Sequence, residues 1–170
     1  MNDQPSIYVA CLESYNSGYL YGTWINATQD VADIYAEIQT MLANSPIDNA
    51  EEWAIQDYEC FEGLRIDEYA GIETVKQYAL FIEEHGKLGA AVFAYCGDID
   101  HALETLENYY HGEWDSELDY ATDLFDECYL HDLPAYIQGY IDYKSFSRDL
   151  FMGDYFSIRV DHKTHVFSCH

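Results

Sequence analysis

Positive charge is what this sequence has least of. Its 170 residues contain 7 Lys and Arg against 32 Asp and Glu, which gives a formal net charge of −25 at pH 7. Residues 1–64 and residues 88–143 contain acids but no Lys or Arg, whereas residues 144–170 are almost neutral. Such a chain is expected to repel nucleic acid and anionic membranes and to attract a partner with a basic surface.

Long apolar runs and paired cysteines are also missing. No segment approaches the roughly 20 apolar residues needed to cross a bilayer. The polar start MNDQPS lacks the basic region of a secretory signal, so a cytoplasmic protein is expected. The 5 cysteines are odd in number and never form Cys-x-x-Cys, which argues against a disulfide framework or a zinc knuckle. The hydrophobic fraction of 49% is nevertheless that of a folded protein.

Catalytic and cofactor motifs are absent as well. The sequence contains no G-x-S-x-G, P-loop, G-x-G-x-x-G or H-E-x-x-H pattern. The segment CGDIDHALE lacks the glycine and the bidentate glutamate of a calcium loop. His162 and His165, with Cys169 and His170 nearby, could ligate a metal, but exposed turn and tail histidines are the favoured interpretation. We therefore predict no enzyme, no catalytic residue, no cofactor and no metal site.

The pattern of the first third predicts a small α/β domain over residues 1–62. SIYVACL and YLYGTWIN are β-branched and aromatic runs separated by the turn formers ESYNSG, which predicts a hairpin with a loop. Apolar residues at helical spacing begin after Asp30 and end before Asn44. EWAIQDYE is predicted to be a third strand with Ile55 and Asp57 on the same face.

Helical patterns dominate the middle of the chain. Residues 63–104 are predicted to form a helical domain, in which one helix has its apolar face from Ile72 to Ile82. Asp98 is predicted to cap a later helix, with Ile99, Leu103 and Leu106 pointing inward.

Residues 105–170 are predicted to form a C-terminal α/β domain. NYYHGEW is a candidate strand, LPAYIQGYIDYKSFSRDLF has a helical period, and YFSIRV and HVFSC flank DHKT as a closing hairpin. The predicted fold class is therefore α+β, with three small domains: a mixed α/β N-terminal domain, a helical middle and a mixed α/β C-terminal domain.

The stretch EWDSELDYATDLFDECYLHD, residues 113–132, contains eight carboxylates and no Lys or Arg. On a helix, its apolar stripe consists of Trp114, Leu118, Ala121, Phe125 and Cys128. Its outward acidic stripe consists of Asp115, Asp119, Asp123 and Asp126. One charge per roughly 5.5 Å is sparser than duplex DNA, so several such elements must align to imitate a duplex. A merely solvated face and adaptation to salt are the alternatives, although the near-neutral tail argues against the second.

Three segments resemble the recurrent segments of ArdA antirestriction proteins, in the same order and at similar spacing: IYVACLESYNSGYLYGTWIN, EEWAIQDYE and LPAYIQGYIDYKSFSRDL. YIDY followed by RDL is the most specific part, and the resemblance covers essentially the whole chain. It implies an elongated, curved DNA mimic of three small domains, encoded by a bacterial mobile element. The implied partners are type I restriction–modification enzymes, whose DNA-recognition and methyltransferase subunits form the groove to be occupied.

The resemblance also implies a homodimer formed through the C-terminal domain. One departure from the family pattern is the polar segment before Ile7, which we expect to be flexible. The alternative function is that of an acidic adaptor or chaperone for another basic DNA-binding protein.

Candidate residues follow from the charge map and the resemblance. The predicted DNA-mimic surface consists of Asp30, Asp33, Glu37, Glu51, Glu52, Asp57, Glu59, Asp98, Glu104, Glu107, Asp115, Asp119, Asp123, Asp126 and Glu127. The dimer-interface candidates are Tyr109, Tyr110 and Trp114. In the C-terminal motif, Ile141, Phe146 and Leu150 are predicted to be core residues. Arg148 is predicted to pair with Asp142 or Asp149.

Overall fold

Two three-stranded antiparallel sheets, each accompanied by helices, organise residues 3–170, the part of the chain that the computed structural model describes. They belong to two units, one ending at Ala90 and the other covering Ala91–His170. The mixed α and β content confirms the predicted combination of elements, while the division into three domains remains a prediction. Among the described residues, no helix is long and apolar enough to cross a membrane.

The first sheet is built on its central strand β1 (Ser6–Cys11), with β2 (Gly22–Asn26) on one side and β3 (Trp53–Glu59) on the other. Helix α1 (Leu12–Asn16) follows β1 directly, and α2 (Val31–Ala43) connects β2 to the segment before β3. The predicted antiparallel strands, helix and third strand are therefore confirmed.

Two local predictions for the first unit are corrected. The turn formers after β1 contain the short helix α1, because the Cys11 side chain caps it by accepting from the Ser14 N–H. The segment before Ile7, which was predicted to be flexible, is held next to the sheet at its end: the Pro5 carbonyl accepts from the Ala27 N–H at 2.9 Å, and Ser6, the first residue of β1, is buried. The remainder of that prediction falls partly on residues 1–2, which lie outside the described residues.

The core of the first unit lies on one face of this sheet. Fully buried side chains from the sheet and from α2 include Ile7, Val9, Ile25, Ile34 and Ile38. Ile7 and Val9 are two residues apart on β1, and Ile34 and Ile38 are four residues apart on α2, so each element directs large apolar side chains toward one interior.

A bulge in β3 breaks the predicted alternation. Tyr8 pairs with Asp57 and Val9 pairs with Ile55, so Gln56 is an extra residue without a partner on β1. The prediction that Ile55 and Asp57 share a face is therefore wrong. Ile55 is buried with Val9, whereas Asp57 is exposed on the opposite face.

Helix α3 (Ile72–Cys96) carries the predicted apolar face, since Ile72, Val75 and Ile82 are buried. It is interrupted at Gly86, whose φ of 57° and ψ of −144° are open to glycine and strained for other residues. The boundary between the two units falls in the later part of this helix.

Helix α4 (Ile99–Asn108) is capped by Asp98, as predicted, because the Asp98 carboxylate accepts from the His101 N–H at 2.9 Å. Its inward face is centred on Ala102 and Thr105, which are buried. The three apolar residues predicted to point inward, Ile99, Leu103 and Leu106, are only half-buried.

The second sheet has β6 (Lys163–Ser168) at its centre, between β4 (Tyr110–Trp114) and β5 (Tyr155–Val160). The predicted strand NYYHGEW and the closing hairpin are confirmed. The two-residue turn of the hairpin has positive φ at both positions, 48° at Asp161 and 67° at His162, as the twist of a tight hairpin requires.

Two helices pack in the second unit, α5 (Glu117–Cys128) and α6 (Tyr143–Leu150). The predicted apolar stripe of α5 is partly wrong: Trp114 belongs to β4 and Cys128 is exposed, while Tyr120 and Ala121 are the buried residues. The helix starts only at Glu117 because the Ser116 hydroxyl caps it by accepting from the Asp119 N–H.

The predicted helix over LPAYIQGYIDYKSFSRDLF is also shorter than its period suggests. Residues 133–142 form turns with a 3₁₀ turn at Gln138–Tyr140, and α6 begins after its cap Asp142. Pro134 disfavours helical geometry at the residue before it, which separates this segment from the preceding helix.

The predicted core of the C-terminal motif is looser than expected. Ile141, Phe146 and Leu150 are half-buried, and Ser147 is the buried residue of α6. The Arg148 pairing is confirmed, since its Nε donates to Asp149 Oδ1 at 3.2 Å.

Candidate acidic interaction surface

Surface exposure is the property that all the predicted mimic carboxylates share. Every Asp and Glu among residues 3–170 is exposed except Glu13, which is half-buried. An ionised carboxylate loses hydration when it is buried, so a chain with this many acids keeps them in water. The negative charge of the sequence is therefore charge of the surface, available to a partner.

On the first unit, α2 presents Asp33 and Glu37 to solvent. Glu37 accepts from the Gln29 amide at 2.7 Å. Asp30 precedes the helix but makes no side-chain cap; its carboxylate instead accepts from Lys76 Nζ at 3.1 Å. This lysine neutralises one of the predicted mimic positions.

Glu51 and Glu52 are held in place by a third carboxylate, that of Glu13 on α1. Glu13 Oε1 accepts from the Glu51 N–H at 2.8 Å and from the Glu52 N–H at 2.9 Å. These two hydrogen bonds to the charged form lower the pKa of Glu13 to about 2. The side chains of Glu51 and Glu52 remain exposed, so the hydrogen-bonded Glu13 carboxylate positions the backbone of two exposed acids.

On the second unit, Asp98 caps α4 and the helix carries Glu104 and Glu107; all three acids are exposed. The Asp98 carboxylate accepts from the backbone of His101 and lies 2.9 Å from its Nδ1. The hydrogen bond from the backbone N–H is the main reason that the pKa of Asp98 is lowered. Asp98 therefore stays ionised well below neutral pH.

Helix α5 presents Asp119, Asp123, Asp126 and Glu127 to solvent. Asp119 belongs to the cap, since its Oδ2 accepts from the Ser116 hydroxyl at 2.6 Å. Asp126 accepts from the Tyr143 hydroxyl at 2.5 Å, which raises the pKa of that tyrosine and ties α5 to α6. The outward acidic stripe exists from Asp119 onward.

The helix ends add to this negative surface. Helices α2, α4 and α5 have no basic residue in the last turn, and α5 instead has two acids there. The carbonyl end of a helix carries a partial negative charge that a nearby cation normally offsets. Asp126 and Glu127 therefore add like charge to a pole that is already negative.

Asp115 lies before α5 and has a different environment from the acids on the helix. Its carboxylate accepts from Lys163 Nζ at 2.6 Å, and this hydrogen bond lowers the pKa of Asp115 and raises that of Lys163. Like Asp30, it is a mimic candidate whose charge is balanced within the chain.

The dimer-interface candidates make contacts inside the second unit. The Tyr109 ring contacts the His170 ring, with centroids 4.3 Å apart and planes tilted by 34°. The Tyr110 hydroxyl lies 2.7 Å from Nδ1 of His165, a buried histidine. Trp114 donates to the His111 carbonyl at 3.0 Å. All three side chains are half-buried, and β4, which carries two of them, lies at an edge of its sheet.

The histidines of the C-terminal segment do not gather into a site. Among the described residues, no group of three or more His, Cys, Asp or Glu is placed to hold a metal ion. His162 is in the hairpin turn and exposed, whereas His165 is buried in β6.

Several aromatic and apolar side chains are exposed, which the sequence pattern does not predict. In the first unit, Trp24 is 44% exposed and Leu20 is 76% exposed. In the second unit, Tyr136 and Tyr140 are more than three-quarters exposed. The aromatic run YLYGTWIN predicts a strand, but it does not tell which of its rings face solvent.

One comparison with known proteins places the chain in a family. A family model described as antirestriction protein (ArdA) matches residues 7–163. No individual curated protein matches the chain with significant similarity.

Proposed function

The chain belongs to the ArdA antirestriction family, and from this membership we propose that it mimics DNA and competitively inhibits type I restriction–modification enzymes by occupying their DNA-binding groove. Membership by itself implies an antirestriction function and an interaction with restriction enzymes in general. The family is not a known enzyme family, so the proposed inhibition works by occupancy.

The observation that carries the proposal is the exposure of the carboxylates. A DNA-binding groove is lined with Lys and Arg that neutralise phosphates and release their counterions. A protein surface with ionised carboxylates and few cations of its own can make the same ion pairs. The mimic surface that we propose is the predicted set of fifteen residues, in which Asp30 and Asp115 contribute least because lysines pair with them.

Helix α5 by itself is not dense enough to replace DNA. Asp119, Asp123 and Asp126, the outward stripe of α5, are four and three residues apart, roughly 6 and 4.5 Å along the helix, against about 3.4 Å per phosphate on one DNA strand. The proposal therefore requires acids from several elements, including α2, α4 and α5. Binding energy should then be distributed, so that single Asp→Asn changes have little effect and clustered changes add up.

A competition assay tests the proposal. Labelled duplex DNA is bound to a type I core of DNA-recognition and methyltransferase subunits at low salt, and the purified protein is added. Displacement of the DNA is expected, and it should weaken steeply as salt rises because the groove exchanges counterions with either ligand. If the DNA stays bound at protein concentrations far above its own, the proposed function is wrong.

A pull-down from a bacterial lysate separates this function from the alternative. Recovery of restriction–modification subunits agrees with groove occupancy. Recovery of a different basic DNA-binding protein in their place would favour an acidic adaptor.

We also propose that the protein is a homodimer that associates through residues 105–170, the third of the proposed domains. The near-neutral balance of residues 144–170 supports this, because elsewhere two copies would repel. The edge position of β4 also supports it, since an edge strand has unpaired backbone groups for a second copy. Sedimentation equilibrium should give a dimer mass, and Trp114→Ala should weaken association.

A further inference from the structure

An aromatic pair and two carboxylates share one face of the first sheet, the face opposite its core. Tyr8 on β1 pairs with Trp24 on β2 and with Asp57 on β3. Directly paired residues of an antiparallel sheet project to the same side. Glu59 joins them, because it pairs with Ser6, two residues before Tyr8.

The aromatic pair leaves the Trp24 ring accessible. The Tyr8 and Trp24 ring centroids are 5.5 Å apart, and the ring planes are tilted by 53°. Trp24 is 44% exposed, whereas Tyr8 is half-buried. Gly22 leaves room for the tyrosine, since a Cβ there would lie 3.0 Å from the Tyr8 ring. Tyr8 therefore supports the indole from one side and leaves part of it free.

The bulge at Gln56 brings the carboxylate to this face. In a regular strand without a bulge, Asp57 would lie on the same face as Ile55, because the two are two residues apart, and Ile55 is buried. The Asp57 carboxylate accepts from the Tyr58 N–H at 2.8 Å, so it is fixed close to the strand. Asp57 and Glu59 are both exposed.

Tyr8 on β1 lies between Trp24 on β2 and Asp57 on β3, so the aromatic rings and the carboxylates share this face side by side. A face of this composition suits one class of ligand, the guanidinium group. Guanidinium stacks on aromatic rings and forms ion pairs with carboxylates at the same time, and tryptophan is the strongest aromatic partner for a cation. Residues 1–64 contain no Lys or Arg, and the basic residues of the first unit are Arg65, Lys76 and Lys87.

We propose that this guanidinium-binding face, formed by Tyr8, Trp24, Asp57 and Glu59, receives arginine side chains of the DNA-binding groove of the inhibited enzyme. The inference rests on the proposed function. It adds one localised contact to an acidic surface whose binding energy is distributed over many residues. Exposed carboxylates steer association, whereas a well-placed tryptophan holds the complex together once it has formed. Trp24 is then the residue of the first unit whose loss costs most affinity.

The competition assay with Trp24→Ala is the direct test. Truncation of an aromatic hot spot weakens binding markedly, so the inhibition constant should rise about tenfold or more. The matched control is Tyr69→Ala, which removes an aromatic side chain that is 73% exposed in the same unit. Its inhibition constant should stay within about twofold of the wild type. Circular dichroism and thermal unfolding check that both variants remain folded.

Two further variants keep the test decisive if Trp24→Ala does not fold. Trp24→Phe retains a ring but weakens the cation–π contact, so it should lose affinity to a smaller extent. Asp57→Asn combined with Glu59→Gln should lose affinity at low salt and much less at high salt. The loss of affinity caused by substituting Trp24 should persist at high salt, because stacking is less screened than an exposed ion pair.

The outcomes distinguish the two levels of the proposal. If the wild-type protein does not displace DNA, both the proposed function and this inference are wrong. If the wild type displaces DNA and the tryptophan variants do so equally well, the distributed surface stands and the guanidinium-binding face is overturned.

Discussion

The ammonium group of Lys163 lies 2.6 Å from the carboxylate of Asp115, so the start of β6 is joined to the segment that enters α5. Lys76 and Asp30 form a similar pair, 3.1 Å apart, in the first unit. These two lysines are thus used inside the chain, and each balances the charge of one exposed carboxylate.

Removing the lysine that pairs with Asp115 should therefore not weaken inhibition. Lys163→Gln leaves this carboxylate unpaired, and the inhibition constant should stay the same or fall because one more negative charge faces the partner. The melting temperature should change little, since both groups are exposed and such pairs contribute little. Lys76→Gln is the equivalent change in the first unit. A marked loss of inhibition in folded Lys163→Gln would contradict this role.

Neutralising the exposed stripe of α5 should weaken inhibition strongly. The change is Asp119→Asn, Asp123→Asn and Asp126→Asn together, which retains the side-chain oxygens that accept from Ser116 and Tyr143. We expect a large rise in the inhibition constant and a shallower salt dependence, because fewer ion pairs form. The melting temperature should not fall, since like charges are removed.

The matched control for this triple variant carries the same change in charge. It replaces Asp149, Asp154 and Asp161, acids of the near-neutral C-terminal segment, with Asn. Equal losses from both variants would mean that net charge matters and the position of the acids does not.

Glu13 should stabilise the first unit in a pH-dependent way. Its pKa is lowered from 4.5 to about 2, so its contribution is complete above pH 4.5 and is lost as the pH falls toward 2. Glu13→Gln should melt at a lower temperature than the wild type near neutral pH, and the difference should vanish toward pH 2. Asp48→Asn removes the same charge from an exposed acid of the nearby loop and should not reproduce this pattern.

His165 should make the second unit less stable in mild acid. Burial lowers its pKa below the ordinary 6.5, although Glu113, 4.0 Å away, acts in the opposite direction. Below about pH 6.5 the unfolded chain takes up a proton that the folded chain does not, so the free energy of unfolding decreases as the pH falls.

Urea unfolding of His165→Gln between about pH 7 and pH 5 measures this effect, because glutamine can bond to the Tyr110 hydroxyl but does not titrate in that range. The difference in unfolding free energy between wild type and variant should shrink or reverse as the pH falls. His162→Asn, in the exposed hairpin turn, is the control and should follow the wild type.

Gly22 should tolerate no side chain. A Cβ at this position would lie 2.3 Å from the Val9 carbonyl oxygen and 2.8 Å from the Ala10 Cα, which are backbone atoms of the central strand. Gly22→Ala should therefore cost about 2 kcal/mol or more in the free energy of unfolding. Gly139→Ala, where a Cβ meets nothing within 4 Å, should change stability little.

The strands and the longer helices were predictable because their local signals agree with the fold. Val31–Ala43 has apolar residues at helical spacing, and the hairpin at Asp161 and His162 joins two short aromatic and β-branched runs. The cap of α4 at Asp98 was also visible, because capping depends only on neighbouring residues. Each of these elements is determined by interactions within a few residues.

The errors concern contacts between distant residues. The bulge at Gln56 depends on how β3 aligns with β1, and no periodicity in β3 alone reveals it. The helical period before Tyr143 was misleading because Pro134 and the turn that follows prevent a continuous helix. The spacing of Trp114 and Cys128 fits a helical stripe, but α5 starts after Trp114, and Cys128 is exposed on it.

The sequence by itself determined the sign of the charge, its distribution along the chain and the exposure of the acids, because ionised carboxylates remain in water in almost any fold. The resemblance to the ArdA antirestriction family was also present in the sequence. Only the tertiary structure decided which acids are paired with lysines, which one is anchored by backbone N–H groups, and which face of the first sheet combines Trp24 with Asp57. Those relationships join residues that are far apart in the chain, and they exist only once strand register and helix packing have brought them together.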